Sequence, residues 1–265
     1  MAMMYAAYFD ASGKQDRHPV LSVAGAAATV ERWVRFERDW KQALKDEGVS
    51  EFHQTDFAAS LKEYKGWRGD KARRTKFLER LARIIKENTN RLFMVSVEIE
   101  AWDSINQEYL LEEAFHSAYA LAGFSVVCMA RKWAKRKRLT APIEFIFEDG
   151  DEGWTGLKKL CASDGVIPIR LPKEKAVPCQ VGDLLAWKNR IACTNSLRLH
   201  NKILNASLPD IESFNELLGE MKSLDRALAA PGDPFVYGPD SLVRTCKLSK
   251  VPKRSAIRLV SELEP

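Results

Sequence analysis

The sequence predicts an α/β domain, a sheet flanked by helices, on three observations. Apolar, β-compatible runs alternate with amphipathic stretches at helical spacing along most of the chain. Hydrophobic residues make up 46% against 29% charged, a balance that builds a core and argues against a disordered or fibrous chain. At 265 residues the chain is long enough for one large core and short for two equal domains.

Tyr5 to Asp10 and Val20 to Thr29 read as strands, and Ser12, Gly13, Asp16 and Pro19 between them make an opening hairpin. Glu31 to Asp46 follows as a helix, with Trp33, Phe36, Trp40 and Leu44 at helical spacing and Gly48 closing it. Lys71 to Glu87 repeats the pattern with Phe77, Leu78, Leu81, Ile84 and Ile85, and runs into a strand, Arg91 to Ile99. A single long helix is expected from Glu108 to about Lys137. Pro142 opens the strand Ile143 to Phe147, a short helix follows around Trp154 to Cys161, and Val166 to Leu171 reads as a further strand. After Pro172 and Pro178 a helix carries Gln180, Asp183, Leu184, Ala186 and Trp187. Ile211 to Ala229 reads as a late amphipathic helix ended by Pro231-Gly232-Asp233-Pro234, and the basic tail beyond has no clear pattern.

Net charge is +5, from 41 Lys and Arg against 36 acids, which fits a nucleic-acid partner without demanding one. Two clusters, Arg68 to Lys76 and Arg131 to Arg138, are each either a track for a phosphate backbone or the solvated end of a helix. Cys128, Cys161, Cys179, Cys193 and Cys246 are odd in number and widely spaced, so no disulfide framework or four-thiolate zinc site is written, and a reducing, cytoplasmic setting is expected. No secretory segment is visible, and Ala114 to Ala130, uncharged but carrying His116, Ser117, Tyr119 and Ser125, reads as a buried core helix and not a membrane span. Phosphate-cradling glycine loops, nucleophile elbows, dinucleotide fingerprints and zinc-protease helices are absent.

The chemistry-bearing residues are acids. Asp10 ends an apolar strand that should be central, where a charge is costly unless a cation meets it or the side chain caps its own turn. Glu148 ends the later strand in the same way, Phe147-Glu148 echoing Phe9-Asp10. If the two strands are parallel neighbours, their C-terminal ends bring both acids to one edge, and Asp183 joins them from a helix whose Leu184, Leu185 and Trp187 pack on the sheet. Three crowded carboxylates raise one another's pKa unless a divalent cation neutralises them, and Mg²⁺ or Mn²⁺ suits an all-oxygen set. Asp149, Asp151 and Glu152 share the following loop, either completing a coordination sphere or serving as acids at the start of the next helix. Glu51, His53 and Asp56 sit in a polar loop between helices, where His53 is either a proton shuttle or outer metal ligand, or a surface or capping histidine. Lys173 and Lys175 either meet a phosphate or are solvated.

The segments Tyr8-Phe9-Asp10-Ala11-Ser12-Gly13, Glu51-Phe52-His53-Gln54-Thr55-Asp56, Phe147-Glu148-Asp149-Gly150-Asp151 and Gln180-Val181-Gly182-Asp183-Leu184-Leu185-Ala186-Trp187 together resemble the domain of unknown function 3800 family, over roughly residues 5 to 195. That resemblance implies a ribonuclease H-like mixed sheet flanked by helices over residues 1–200, with residues 201–265 as a C-terminal helical extension packed on the same domain. It implies metal-dependent phosphodiester hydrolysis at a two-metal site in which Asp10, Glu148 and Asp183 hold Mg²⁺ or Mn²⁺, Asp151 adds to the set and His53 assists. Ala11 departs from the family's Asp-Glu-Ser-Gly run, leaving out one acid. A non-catalytic nucleic-acid-binding or regulatory module of a defence or mobile-element system that keeps the fold is the alternative; a strand-transfer enzyme would need a separate DNA-binding domain, for which the chain has no obvious room.

Overall fold

The computed structural model describes residues 4–201 and 235–254 of the chain. Strands β1 (Tyr5–Ser12) and β2 (Val20–Thr29) form the expected hairpin, with Tyr5 opposite Thr29 and Ser12 opposite Ser22. Thr29 then caps helix α1 (Val30–Asp46) by accepting the Arg32 N–H at 3.3 Å. A short helix α2 (Gln54–Ala58) and a 3₁₀ turn (Lys62–Trp67) lead to α3 (Lys71–Asn88), capped by Asp70, and on to β3 (Arg91–Glu98). Next come α4 (Ile99–Glu108), α5 (Leu111–Phe115), α6 (Ala118–Lys137), β4 (Ile143–Glu148), α7 (Trp154–Ser163) and β5 (Ile169–Leu171). A second 3₁₀ turn (Lys173–Lys175) precedes α8 (Cys179–Asn201); after residue 234 follow β6 (Phe235–Tyr237) and α9 (Pro239–Leu248).

The strands make one mixed sheet in the order β5-β4-β1-β2-β3-β6. Strand β2 runs against both of its neighbours, and the remaining pairings are parallel. Side chains alternate across the sheet. Ala7, Phe9, Val23, Val95, Phe145 and Phe147 face a core completed by Trp102, Leu121, Val126, Leu157 and Leu242. Ala6, Ala24, Ala26, Leu92 and Ile146 face the other way, against Trp33, Phe36 and Trp40 of α1, Leu81 of α3, and Val181 and Leu184 of α8. Every residue of β2 is buried, which places it at the centre. The small residues of β2, Ala24, Gly25, Ala26, Ala27 and Ala28 among them, let α8 lie close on β1 and β2.

The predicted single helix from Glu108 to Lys137 is instead two, α5 and α6, with Glu108 the last residue of α4. His116 adopts φ 66° and the Ser117 hydroxyl accepts the Ala120 N–H at 3.1 Å, so a local cap starts α6 afresh where periodicity reads straight through. Residues 118–130 do form the expected buried helix, and among the described residues no helix is long and apolar enough to cross a membrane. The strand expected from Val166 shortens to Ile169–Leu171, because Pro168 offers no N–H to a ladder and the Val166 N–H bonds back to the Cys161 carbonyl at 2.8 Å. Strand β6 and helix α9, the latter with Pro239 in its first turn, were not legible in the tail. The helix expected over 211–229 and its Pro-Gly-Asp-Pro stop lie outside the described residues. The five cysteines are free thiols.

Candidate functional site

The site follows from register. Parallel pairing sets Phe9 beside Phe147, whose rings stack at 5.1 Å, so the next residues, Asp10 and Glu148, lie side by side and turn to the opposite face; Glu148 ends β4 as expected, whereas β1 runs two residues past Asp10, to Ser12. That face is the one α8 covers. A β-carbon on Gly182 would meet the Asp10 backbone nitrogen at 2.5 Å and the Ala24 carbonyl oxygen at 2.8 Å; only glycine admits this approach, and it delivers the next residue, Asp183, to the same place. Asp10 Oδ1 accepts the Ala11 N–H at 2.8 Å and Asp183 Oδ2 accepts the Gln54 N–H at 2.8 Å. The Asp10 bond lies within strand β1 and caps no turn, while the charges of Glu148, Asp183 and Asp151 act on it.

The second bond also brings in the segment around His53. Gln180 fastens that segment to α8, its Oε1 accepting both the Trp40 indole N–H at 2.8 Å and the Phe52 N–H at 3.0 Å. Asp56, expected in a loop, is instead buried within α2; its Oδ2 lies 2.8 Å from His53 Nδ1 and 2.8 Å from Lys62 Nζ. His53 sits at the N-terminus of α2 without a side-chain capping bond, so the capping alternative is not what it does there. Its charge, like that of Lys173, favours ionised Asp183. Lys173 reaches Glu51 at 3.1 Å and senses Glu148 and Asp183 as well.

Four carboxyls interact: Asp10, Glu148, Asp183 and Asp151. Burial, then the charges of Glu148, Asp183 and Asp151, push Asp10 well above the ordinary carboxylate range. Burial raises Glu148 to about 7 against the pull of Lys173, and raises Asp151 to about 6 against Tyr119, Arg170 and Lys14. Asp183 is raised by burial despite its Gln54 bond. Asp56 goes the other way: burial would raise it, but Lys62 and His53 outweigh that and lower it.

Other expectations separate from this group. Asp149 is exposed and paired with Arg170 at 2.5 Å, and Glu152 with Lys14 at 3.6 Å; neither caps α7, which begins at Gly153. Lys175 is exposed. Ala11 packs against the apolar core on the far face, so an acid at that position would not have joined the Asp10 face. Of the basic clusters, the first lies at the start of α3 and not at a helix C-terminus; there Arg74 is buried, donating to the Phe57 carbonyl at 2.9 Å, and Arg73 covers the Trp67 ring and pairs with Glu47. The second ends α6 as expected. Tyr119, buried beside Asp151, and Gly182 are functional-site neighbours the sequence did not single out.

The chain matches no model of a known protein family, and no curated protein matches it in sequence. Among the described residues no three His, Cys, Asp or Glu side chains form a ready-made metal cage. What the donor set does offer is oxygen chemistry: buried carboxylates that repel one another and hold protons above their usual range, a state that a hard divalent cation relieves.

Proposed function

We propose that the protein is a divalent-metal-dependent nuclease of ribonuclease H-like fold, akin to the domain of unknown function 3800 family, and that it hydrolyses phosphodiester bonds. The observation that carries this is the meeting of Asp10, Glu148 and Asp183 where two parallel strands face α8. The mixed sheet, with acids on the first strand, a later strand and the helix that closes over them, is compatible with that fold.

Asp10 would hold Mg²⁺ or Mn²⁺ jointly with Glu148 and Asp183, with Asp151 at the margin. The metal, when bound, supplies an activated water and neutralises charge on the leaving oxygen. His53 is oriented by Asp56, which engages Nδ1 and leaves Nε2 as the nitrogen able to move a proton. Lys173, held by Glu51, keeps positive charge beside Glu148 for the phosphate. The test is cleavage of labelled DNA and RNA in Mn²⁺ by the wild type and by Asp10→Asn. Cleavage by the wild type and its loss in the variant support the reading; equal cleavage by both overturns it.

A further inference from the structure

Arg190 is a half-buried guanidinium that no carboxylate reaches among the described residues. It lies two helical turns past Asp183 on α8, its Nε donates to Ser12 Oγ at 3.0 Å, and burial alone disfavours its charge. A β-carbon on Gly13 would meet the Arg190 Cδ at 2.8 Å and the Val20 carbonyl oxygen at 2.5 Å, and Gly13 has φ +95°, so the turn is shaped to admit this side chain. Burying an arginine without a counter-charge is costly, and the two terminal nitrogens of its fork, which have no partner among the described residues, match a phosphate. Lys14 stands in the same turn, its ammonium 3.6 Å from the exposed Glu152, and His18 feels the charges of Arg190 and Arg17 with Asp16 acting the other way. The Lys14 N–H donates to His18 Nδ1 at 3.0 Å, so the imidazole carries its proton on Nε2, as a donor.

Position matters as much as charge. Ser12 is two residues beyond Asp10 on the same face of β1, about 7 Å along the strand. We propose that Arg190, with Ser12 and Lys14, binds the backbone phosphate next to the one placed at Asp10, Glu148 and Asp183, so that the substrate is a nucleic-acid strand of at least two phosphates. The assignment of the neighbouring phosphate rests on the nuclease reading; the binding of a polyanion at Arg190 does not.

The full chain is titrated with fluorescein-labelled oligothymidylate in EDTA across a salt series, as wild type, Arg190→Met and Arg190→Lys, and the wild type is separately incubated with the same strand in Mn²⁺. Arg190→Met should weaken binding about tenfold, the scale of a charge-assisted hydrogen bond, and lower the salt slope by about 0.7; Arg190→Lys, which keeps charge and loses the fork, should fall between. Thermal unfolding checks folding, and if the Met variant does not fold, the Lys variant decides. Variant binding and slope equal to wild type, or no binding by the wild type, overturns the subsite. Weakened variants without any Mn²⁺-dependent cleavage leave the subsite standing and remove the nuclease reading.

Discussion

Asp56 and Asp183 have the same low solvent exposure, 7% each, but Asp183 lies far deeper among protein atoms, and their carboxyls move in opposite directions. Asp56 has Lys62 and His53 within 2.8 Å and is held ionised. Asp183 has one backbone donor and feels the charges of His53 and Lys173, yet burial beside Asp10 and Glu148 still raises it. Low exposure alone does not mark a site. Depth together with the charge around the buried group does, and by that measure the α2 acid is a finished structural pair while the α8 acid belongs to a group that calls for a cation.

The largest expected effect is on catalysis. Asp183→Asn should lower Mn²⁺-dependent cleavage by roughly a thousandfold, the order of several kcal/mol of lost charge stabilisation, measured as single-turnover rate; Asp56→Asn, which only loosens His53, should cost far less. A loss of equal size in both would erase the contrast. Gly182→Ala comes next: its methyl group would press on the backbone of Asp10 and Ala24, so α8 must lift, costing about 1–3 kcal/mol in urea unfolding and most of the activity.

The same pair predicts opposite signs in stability. Asp10→Asn in EDTA should leave the unfolding midpoint equal or higher, because one repelling charge is gone and the amide oxygen still accepts the Ala11 N–H. Asp56→Asn should lower the midpoint, through a loss of about 1–2 kcal/mol of unfolding free energy, a modest figure because Lys62 is 74% exposed and returns to water.

A smaller and broader effect is on pH dependence. The clustered acids bind protons more tightly folded than unfolded, so metal-free stability falls as pH rises from the ordinary carboxylate range through about 7, the Glu148 value, and Mn²⁺ should flatten that decline. Asp56 contributes the reverse, stability present above its unfolded pKa and lost as pH falls below it. Thermal melts across pH with and without Mn²⁺ read both. A metal-free profile that rises between pH 5 and about 7 contradicts the first.

Much of this was legible in the sequence where the determinants are local. The strands β1 and β2 and the helices α1 and α3 show their period and their caps, Thr29 and Asp70. The acids Asp10 and Glu148 were readable because each follows an apolar run and a phenylalanine, although β1 continues to Ser12, and Asp183 because its helix is apolar around it. What could not be read depends on contacts between distant segments. The break at His116 is set partly by packing against Gly156, whose β-carbon would lie 2.5 Å from the His116 Cβ. The Glu51–Lys173 pair, the Tyr119 contact with Asp151 and the seat of Arg190 at Gly13 arise only when separate elements meet. Asp56 looked like a loop acid because five residues of helix are too few to show a period.

The most direct test is a crystal of the wild-type chain soaked in Mn²⁺ and read for anomalous scattering. The account predicts a peak bounded by the carboxylates of Asp10, Glu148 and Asp183, absent from Asp10→Asn crystals. Manganese bound elsewhere with no peak among these three, or the three carboxylates turned to separate surfaces, would contradict it.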